Sequence, residues 1–246
     1  MTYEEILDFW RGRILPSGDE FQALITRQAI EFAANSGKIE NPQVTYYDTR
    51  EIFKHGSVSS YTGSLTTLFE INDAKCAYLY VLDALQRRQP LDEPVLLEMH
   101  RLLTLNTYDE GRLALGERPG AYRTHDFDTG KTEVGAPFAD VPDEMDELLQ
   151  EFLTLDKNHA LTTAAYFHAK FENIHPFADG NGRTGRLSMN YLLLLMDHPP
   201  ITIFEEDRKE YYSTLVVWDT VQDLNPMKKF LRSQTVKTWE RRLGKL

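Results

Sequence analysis

Apolar residues recur at intervals of three and four along most of the chain, a spacing that places them on one face of an α-helix. Breaks in this pattern divide it into segments, one closing on Gly37, one ending at Gln89-Pro90, and one beginning after Pro142. The sequence therefore predicts a mainly α fold. Its predicted helices are, in chain order, EFQALITRQAIEFAANSG, LTTLFEINDAKCAYLYVLDALQRR, PVLLEMHRLLTLNT, DEMDELLQEFLTL, LTTAAYFHAKFENI, RTGRLSMNYLLLLM, EDRKEYYSTLVVWDTV and PMKKFLRSQTVKTWERRL.

Residues 117–138 interrupt the helical pattern. They read ERPGAYRTHDFDTGKTEVGAPF, in which Thr, Tyr and Val surround DTG, a turn signature of β-hairpins. Because an isolated hairpin is seldom stable by itself, we expect a small β-hairpin flap that lies over another part of the molecule.

The composition indicates which classes of binding partner the protein can have. The chain has 246 residues, of which 41% are apolar, and 27 basic against 38 acidic side chains give a net charge of −11. This balance disfavours nucleic acid as a partner. The acidic start MTYEEILDFW does not resemble a secretory signal, and the longest apolar run, YLLLLM, is too short to cross a bilayer. With Cys76 as its single cysteine, we expect a cytoplasmic protein with no membrane partner.

The richest chemistry lies in IHPFADGNGRTGR, residues 174–186, between two predicted helices. Pro176 stops the first helix, and the second begins near Asn181 to Arg183. The free N–H groups at such a helix start attract anions, phosphate above all. The glycines Gly180 and Gly182 let a ligand approach the main chain closely. The sequence therefore predicts a phosphate site at this turn.

Charged side chains in the same stretch complete the site. Arg183 and Arg186, three residues apart, add two permanent positive charges to nearly the same helix face. Asp179 is placed to hold Mg²⁺, which prefers one or two carboxylates plus phosphate oxygens. His175 could accept a proton from an attacking hydroxyl, whereas His168, earlier on the same helix, is expected to be structural. A zinc site, an EF-hand and a P-loop are disfavoured by ligand spacing and by the lack of a GK(S/T) ending.

The stretch HPFADGNGR followed by Arg186 resembles the signature of the Fic family, HPFx(D/E)GNGRxxR, at every fixed position. The resemblance extends through YFHAKFENIHPF upstream and through YY and DLNPMKKFL downstream, roughly residues 60 to 235. Fic proteins are helical domains that mostly transfer AMP from ATP to a hydroxyl of a target protein. The resemblance implies a Fic-domain helical bundle with a β-hairpin flap over residues 59–246, including a C-terminal helix. An N-terminal helical extension, residues 1–58, is expected to pack with it as a single globular unit.

The resemblance also implies roles for individual residues. His175 is the catalytic base that deprotonates a Ser, Thr or Tyr of the protein substrate, which could be the chain itself. ATP is the co-substrate, Asp179 holds Mg²⁺, and the flap holds the target backbone by strand addition. Asp219 stands where relatives often carry Asn, and its role stays open. The nucleotide-binding residues implied by the family are Asp179, Gly180, Asn181, Gly182, Arg183, Thr184, Gly185 and Arg186, with Val134, Gly135, Ala136 and Pro137 of the flap, and Tyr211 and Tyr212 on the adenine side.

Many Fic proteins also carry an inhibitory helix of pattern (S/T)xxxE(G/N), whose Glu pairs with the second signature Arg and blocks productive binding of the γ-phosphate. The resemblance implies that Arg186 takes this phosphate. We align this pattern with SVSSYTGSLTTLFEIND, where Ser59 is followed four positions later by Gly63, so no Arg186–Glu pair is expected. A second register runs from Thr66 to Glu70, with Ile71 in place of Gly or Asn. Without the Glu, the enzyme would be constitutively active, restrained by a small antitoxin in trans, or restrained by self-association. Gly63 is equally compatible with an engineered replacement of a glutamate.

Four alternatives to a simple adenylyltransferase stay open. The chain could be the toxin of a toxin–antitoxin pair with the same chemistry, or could transfer another nucleotide. Phosphate transfer is disfavoured, because kinase-like members tend to carry Lys where Gly182 stands. A catalytically silent binding module is disfavoured by the intact His175, Asp179 and both arginines.

Overall fold

A computed structural model describes residues 1–12, 19–127 and 135–243, and the side chains of residues 19–25 lie outside that description. The described residues form helices joined by turns and irregular segments, with no β-strand among them, so the mainly α prediction is confirmed. The helices are α1 (Tyr3–Gly12), α2 (Asp19–Glu40), α3 (Tyr46–His55), α4 (Leu65–Gln86), α5 (Glu93–Thr104), α6 (Glu110–Ala114), α7 (Val141–Gln150), α8 (Ala160–Ile174), α9 (Asn181–Leu195), α10 (Arg208–Val221) and α11 (Asn225–Leu243). Short 3-10 helices occupy Lys157–His159 and Glu205–Asp207.

The pair α8 and α9 lies at the centre of the molecule. Aromatic side chains of α8, among them Phe167 and Phe171, are fully buried, and Leu187 of α9 belongs to the same apolar core. The helices α4 and α5 pack against α9, and α10 and α11 pack against α8. Because both central helices are surrounded by other helices, the turn that joins them is held between rigid elements.

The end of α2 differs from the sequence-based expectation. The helix was predicted to close on Gly37, but it continues for another turn to Glu40. A Cβ at position 37 would lie 3.2 Å from Cγ1 of Val44, so glycine here allows the helix to approach the segment that precedes α3. The prediction was wrong because a glycine that serves close packing was taken for a helix stop.

The predicted hairpin flap is described only in part. Its DTG turn, residues 128–130, and Val134 lie outside the described residues. The two ends, residues 117–127 and 135–138, are irregular rather than extended strands. Among the described residues, every helix is too short or too polar to cross a lipid bilayer.

Candidate active site

The turn between α8 and α9 begins with His175 in a left-handed conformation, φ 54° and ψ 60°. A non-glycine residue in this region costs about 1 kcal/mol or more, so the surroundings must hold it. The N–H of His175 donates to the Phe171 carbonyl at 3.0 Å, and its carbonyl accepts from Nε of Arg123 at 2.8 Å. The following Pro176 cannot continue the helix. The backbone of the proposed base is thus fixed from both sides.

The middle of the turn is anchored in the core by Phe177 and Asn181. Phe177 is fully buried. The amide of Asn181 accepts from the Phe177 N–H at 2.9 Å and donates to the Phe177 carbonyl at 2.7 Å. This reciprocal pair, itself buried, makes the first turn of α9 continuous with the preceding turn and leaves little freedom to the backbone between them.

The N-terminus of α9 opens towards a cavity. Gly180 caps the helix at φ 78°, and a Cβ there would lie 2.6 Å from Cγ2 of Thr104, so only glycine fits. The N–H of Gly180 donates to Oδ1 of its neighbour Asp179 at 2.7 Å. Unpaired N–H groups of the first helical turn and the helix dipole favour an anion at this position, as the sequence predicted.

Two arginines surround the Asp179 carboxylate. Nη1 of Arg112, on α6, lies 3.4 Å from Oδ2, and Nη2 of Arg183 lies 3.8 Å from Oδ1. Arg112 was not predicted from the sequence, because α6 is short and far from the motif along the chain. The carboxylate is about one third exposed. A partly exposed carboxylate with loose ionic partners is available to a metal ion that bridges it to phosphate.

Two cavities meet at this turn. The first, which we call the loop cavity, has a volume of about 240 Å³ and is lined by Arg112, Phe127, His175, Asp179, Gly182 and Arg183. The second, the α10 cavity, has about 230 Å³ and is lined by His175, Arg186, Tyr211, Tyr212, Val216 and Asp219. His175, Gly182 and Glu40 line both. The arrangement is therefore a polar cavity at a helix N-terminus that adjoins a more apolar one, with an imidazole at their junction.

The imidazole of His175 is held in the neutral form. Burial, assisted by the neighbouring charge of Arg123, lowers the pKa of His175 to about 4. The backbone of Glu172 acts in the opposite direction and raises the pKa of His175, but less than burial lowers it. A neutral imidazole has one ring nitrogen with a free lone pair. At neutral pH this side chain can accept a proton and cannot donate one from a charged state.

Arg186 forms an ion pair with Glu40, a residue that was not predicted from the sequence. Its guanidinium is 1% exposed, and Nη2 lies 2.7 Å from Oε1 of Glu40 at the end of α2. Nε donates to Oγ of Ser36 at 2.9 Å, and Nη2 also donates to the Ser36 carbonyl at 3.1 Å. Burial alone would lower the pKa of Arg186, but Glu40 raises it and secures the charge. Nη1 is buried without a hydrogen-bond partner among the described residues.

The expectation that no glutamate pairs with Arg186 is therefore wrong. Ser36 to Asn41 reads SGKIEN and satisfies (S/T)xxxE(G/N) in full, whereas Ser59 and Gly63 lie in an exposed turn before α4. Glu70, the second register considered, accepts instead from the side chain of Asn41 at 2.7 Å. The signal was present in the sequence. The predicted helix ends at Gly37, whereas α2 continues to Glu40 and carries the glutamate to Arg186.

Other predicted site residues are distributed on both sides of α9. Thr184 is fully buried, and a Cβ on Gly185 would meet Oε1 of Glu172 at 2.7 Å. Both residues face the packed side of α9 and line neither the loop cavity nor the α10 cavity, so direct nucleotide contact by their side chains is not supported.

The tyrosine pair lies beside the α10 cavity in two different environments. Tyr211 is buried, its hydroxyl is 2.8 Å from Nε2 of His168, and its ring lies under the Arg186 guanidinium at 5.9 Å. Tyr212 is 42% exposed at the cavity wall. Asp219 accepts from Nδ2 of Asn173 at 2.9 Å at the rim. Tyr211 thus supports the arginine, as His168 supports Tyr211, while Tyr212 offers a ring to the cavity.

The described ends of the flap are bound to the backbone of the turn. The N–H of Ala136 donates to the Ile174 carbonyl at 3.1 Å, and the Ala136 carbonyl accepts from Arg123. Gly135, at φ 60°, lies so close that a Cβ would be 3.0 Å from Cβ of His175. Gly135 and Ala136 therefore lie beside the proposed base, with Pro137 following them. Val134 lies outside the described residues.

The described residues contain no cluster of three or more His, Cys, Asp or Glu side chains that could hold a metal ion. A site with the single carboxylate of Asp179 still fits Mg²⁺, because this ion commonly binds through one or two carboxylates and takes its other ligands from phosphates and water.

Residues 90–193 match the sequence model of the Fic/DOC family. The protein adenylyltransferase Fic of Drosophila persimilis is 36% identical over 119 residues, which cover 46% of this chain and 23% of that protein. The match thus spans about a quarter of the length of that curated relative. A Fic domain containing signaling protein from Bacteroides thetaiotaomicron has a similar structure, with a TM-score of 0.80, 22% identity, and coverage of 96% of this chain and 94% of that one. A Fic family protein from Desulfovibrio desulfuricans superposes with a TM-score of 0.74 at 27% identity, over 97% of this chain and 73% of that one.

Proposed function

We propose that this chain, a member of the Fic/DOC family through residues 90–193, is a protein adenylyltransferase that transfers AMP from ATP to a Ser, Thr or Tyr hydroxyl of a target protein. The observation that carries the proposal is the turn between α8 and α9, which brings a neutral His175 and the free N–H groups of α9 to one cavity. The name of the curated relatives, protein adenylyltransferase, supports AMP as the transferred group and a protein as the acceptor.

The chemistry follows from the position of the groups. Phosphates of ATP lie at the N-terminus of α9, with Arg183 beside them and the nucleoside in the α10 cavity against Tyr212. The free ring nitrogen of His175 takes the proton of the target hydroxyl. A bond forms between that oxygen and the α-phosphorus, the bond to the bridging oxygen breaks, and pyrophosphate leaves. Positioning and electrostatic stabilisation supply most of the rate enhancement in such transfers.

Asp179 is the residue that would hold Mg²⁺. When bound, the ion neutralises charge on the phosphate oxygens. The side chain of Asp179 would have to exchange the loose contacts with Arg112 and Arg183 for the metal, and both arginines would then be free to contact phosphate. Among the described residues, both arginine contacts are longer than a close ion pair, and the shortest contact of the carboxylate is the hydrogen bond that Oδ1 accepts from the Gly180 N–H at 2.7 Å.

We infer that the last turn of α2 acts as a brake in cis. Glu40 occupies the guanidinium of Arg186, the group to which the family resemblance assigns the γ-phosphate. A carboxylate and a phosphate cannot share the same donor, so ATP can bind in this mode only when Glu40 moves. This arrangement supports self-restraint over constitutive activity, and restraint by a separate antitoxin or by self-association is no longer needed to explain control.

The remaining expectations about the cellular setting belong to the same proposal. A cytoplasmic location rests on the single, exposed and unpaired Cys76, which suits a reducing compartment. A protein target, rather than nucleic acid or membrane, rests on the net charge of −11.

The proposal is tested by incubating the purified chain and a cell lysate with Mg²⁺ and isotope-labelled ATP, GTP, CTP or UTP, followed by mass spectrometry. Three proteins are compared: the unchanged chain, Glu40→Ala to release Arg186, and Glu40→Ala with His175→Asn. Asparagine is the matched replacement because it tolerates the left-handed backbone of position 175. We expect an AMP adduct on Ser, Thr or Tyr with Glu40→Ala and none after His175→Asn. Equal labelling with and without His175, or a different transferred group, would refute the proposed activity.

A further inference from the structure

His100 of α5 is a fully buried histidine that lies beneath the turn between α8 and α9. Its ring stacks on the ring of Phe177 with centroids 3.7 Å apart and an interplanar angle of 3°. Both ring nitrogens are engaged with backbone groups: Nδ1 lies 2.8 Å from the N of Gly120, and Nε2 lies 2.9 Å from the carbonyl oxygen of Asp179. The side chain thus connects α5, the base of the flap and the motif turn.

The chemistry of these partners fixes the state of the ring. A backbone N–H only donates, so Nδ1 of His100 accepts from Gly120 and carries no proton. The ring is therefore neutral with its proton on Nε2, which donates to the Asp179 carbonyl. Neither the other tautomer nor the charged form can make both hydrogen bonds. Because the His100 ring stacks on Phe177, it cannot rotate to form hydrogen bonds with other groups.

This hydrogen bond has a consequence for the anion site. The carbonyl of Asp179 and the N–H of Gly180 belong to one planar trans peptide, in which the two groups point in opposite directions. Holding the carbonyl towards α5 turns the Gly180 N–H away from α5, to the side where it meets the Asp179 carboxylate at 2.7 Å. Gly180 has a left-handed conformation, with φ 78°, which only glycine adopts at no steric cost. The same conformational freedom would allow the Asp179–Gly180 peptide to flip.

We propose that His100 is a positioning residue that fixes the orientation of the Asp179–Gly180 peptide, so that the Gly180 N–H faces the phosphate site and the carbonyl faces away from it. The inference rests on the proposed function for its effect on catalysis. In the flipped orientation the carbonyl oxygen would point into the loop cavity and repel a bound phosphate, while one donor of the site would be lost. His100 acts on substrate only through this peptide.

Two variants of His100 test its two hydrogen bonds, to the Asp179 carbonyl and from the Gly120 N–H, one at a time. His100→Gln places an amide N–H near the position of Nε2 and retains the donor to Asp179, whereas His100→Asn retains an acceptor near Nδ1 for Gly120. Both lose the stacking on Phe177, so their loss of thermal stability should be similar. We expect His100→Gln to bind MgATP in the Glu40→Ala background within about threefold of the parent. His100→Asn should bind it at least tenfold more weakly, with kcat for AMP transfer lowered as well.

A second readout does not depend on activity. In the unchanged protein, long-range ¹H–¹⁵N correlation should show His100 with its proton on Nε2, and the carbonyl carbon shift of Asp179 should be that of a hydrogen-bonded group in the parent and in His100→Gln only. A proton on Nδ1 would overturn the proposal even if neither variant folds. Equal MgATP affinities for the two variants would overturn it as well. If the parent binds no MgATP, the proposed function fails, while the NMR measurements still decide the role of His100.

Discussion

Removing the carboxylate of Glu40 is the most informative single perturbation of this protein. Its partner Arg186 is 1% exposed, and the two charges approach to 2.7 Å, whereas the Glu40 side chain itself is 39% exposed. At an effective dielectric constant of about 20, two unit charges whose centres lie about 4 Å apart attract by about 4 kcal/mol. Solvent access to Glu40 and the cost of desolvating Arg186 reduce the net value to about 1–2 kcal/mol.

The two properties that depend on this pair should move in opposite directions in Glu40→Ala. The free energy of unfolding should fall by about 1–2 kcal/mol, since the buried guanidinium loses its carboxylate partner and keeps its hydrogen bonds to Ser36 and its contact with the Tyr211 ring. The affinity for MgATP should rise about tenfold, because the terminal phosphate no longer has to displace a carboxylate worth about 1.4 kcal/mol. Urea denaturation measures the first quantity, and isothermal titration calorimetry together with pyrophosphate release measures the second.

The matched control is Glu70→Gln. This variant also removes one negative charge close to α2, but its amide oxygen can still accept from Asn41, and Glu70 has no contact with Arg186 among the described residues. We expect its ATP affinity to stay within about twofold of the parent. If Glu70→Gln raises the affinity as much as Glu40→Ala does, the effect is a general reduction of negative charge and the specific brake is refuted. Unchanged affinity in Glu40→Ala would refute it equally.

Three further predictions follow from the site and the core. Gly135→Ala should lower the free energy of unfolding by about 2 kcal/mol and reduce AMP transfer, because position 135 has φ 60° and the new Cβ would press on His175. Gly12→Ala is the neutral control for both measurements, since a Cβ there would have no atom of the described residues within 4 Å. Chelation of Mg²⁺ should abolish AMP transfer, and Asp179→Asn should lower the rate of transfer by about 10²-fold at saturating Mg²⁺. Full activity in either assay would refute the role of Mg²⁺ at Asp179. Stability to urea should fall as the pH drops from about 6.5 towards 4, because burial lowers the pKa values of four histidines below the ordinary value. In this pH range these histidines bind protons in the unfolded chain but not in the folded chain. A stability that does not change with pH would contradict the burial of these histidines as neutral rings. Burial raises the pKa of the Glu172 carboxyl to about 8 and also raises the pKa values of Asp73 and Asp219, and these carboxyls act in the opposite sense. The four histidines are His100, His168, His175 and His198, with pKa values of about 4, 3, 4 and 4.

The sequence by itself determined most of the helices, though not α1, α3 and α6, and the location of the chemistry. Apolar periodicity marked α4, α5 and α7 to α11 to within a few residues, because each helix buries one face and its ends carry Pro, Gly or acidic caps. The turn at residues 174–186 was found from local features alone, since a helix stop, two glycines and a helix start lie next to one another along the chain. Local signals of this kind need no knowledge of the tertiary fold.

Only the tertiary structure decided what meets Arg186. Glu40 and Arg186 are 146 residues apart. The stretch SGKIEN matches the inhibitory pattern of the family, but the local physical properties of neither residue identify the other as its partner. Gly37 looked like a helix end because glycine is a poor helix former, yet packing against Val44 keeps the helix intact for the one further turn that carries Glu40. The same holds for His100 and Arg123, whose roles arise from contacts with backbone atoms of the turn. Side-chain periodicity along the chain records burial, but it does not record which distant partner a buried charge or ring will find.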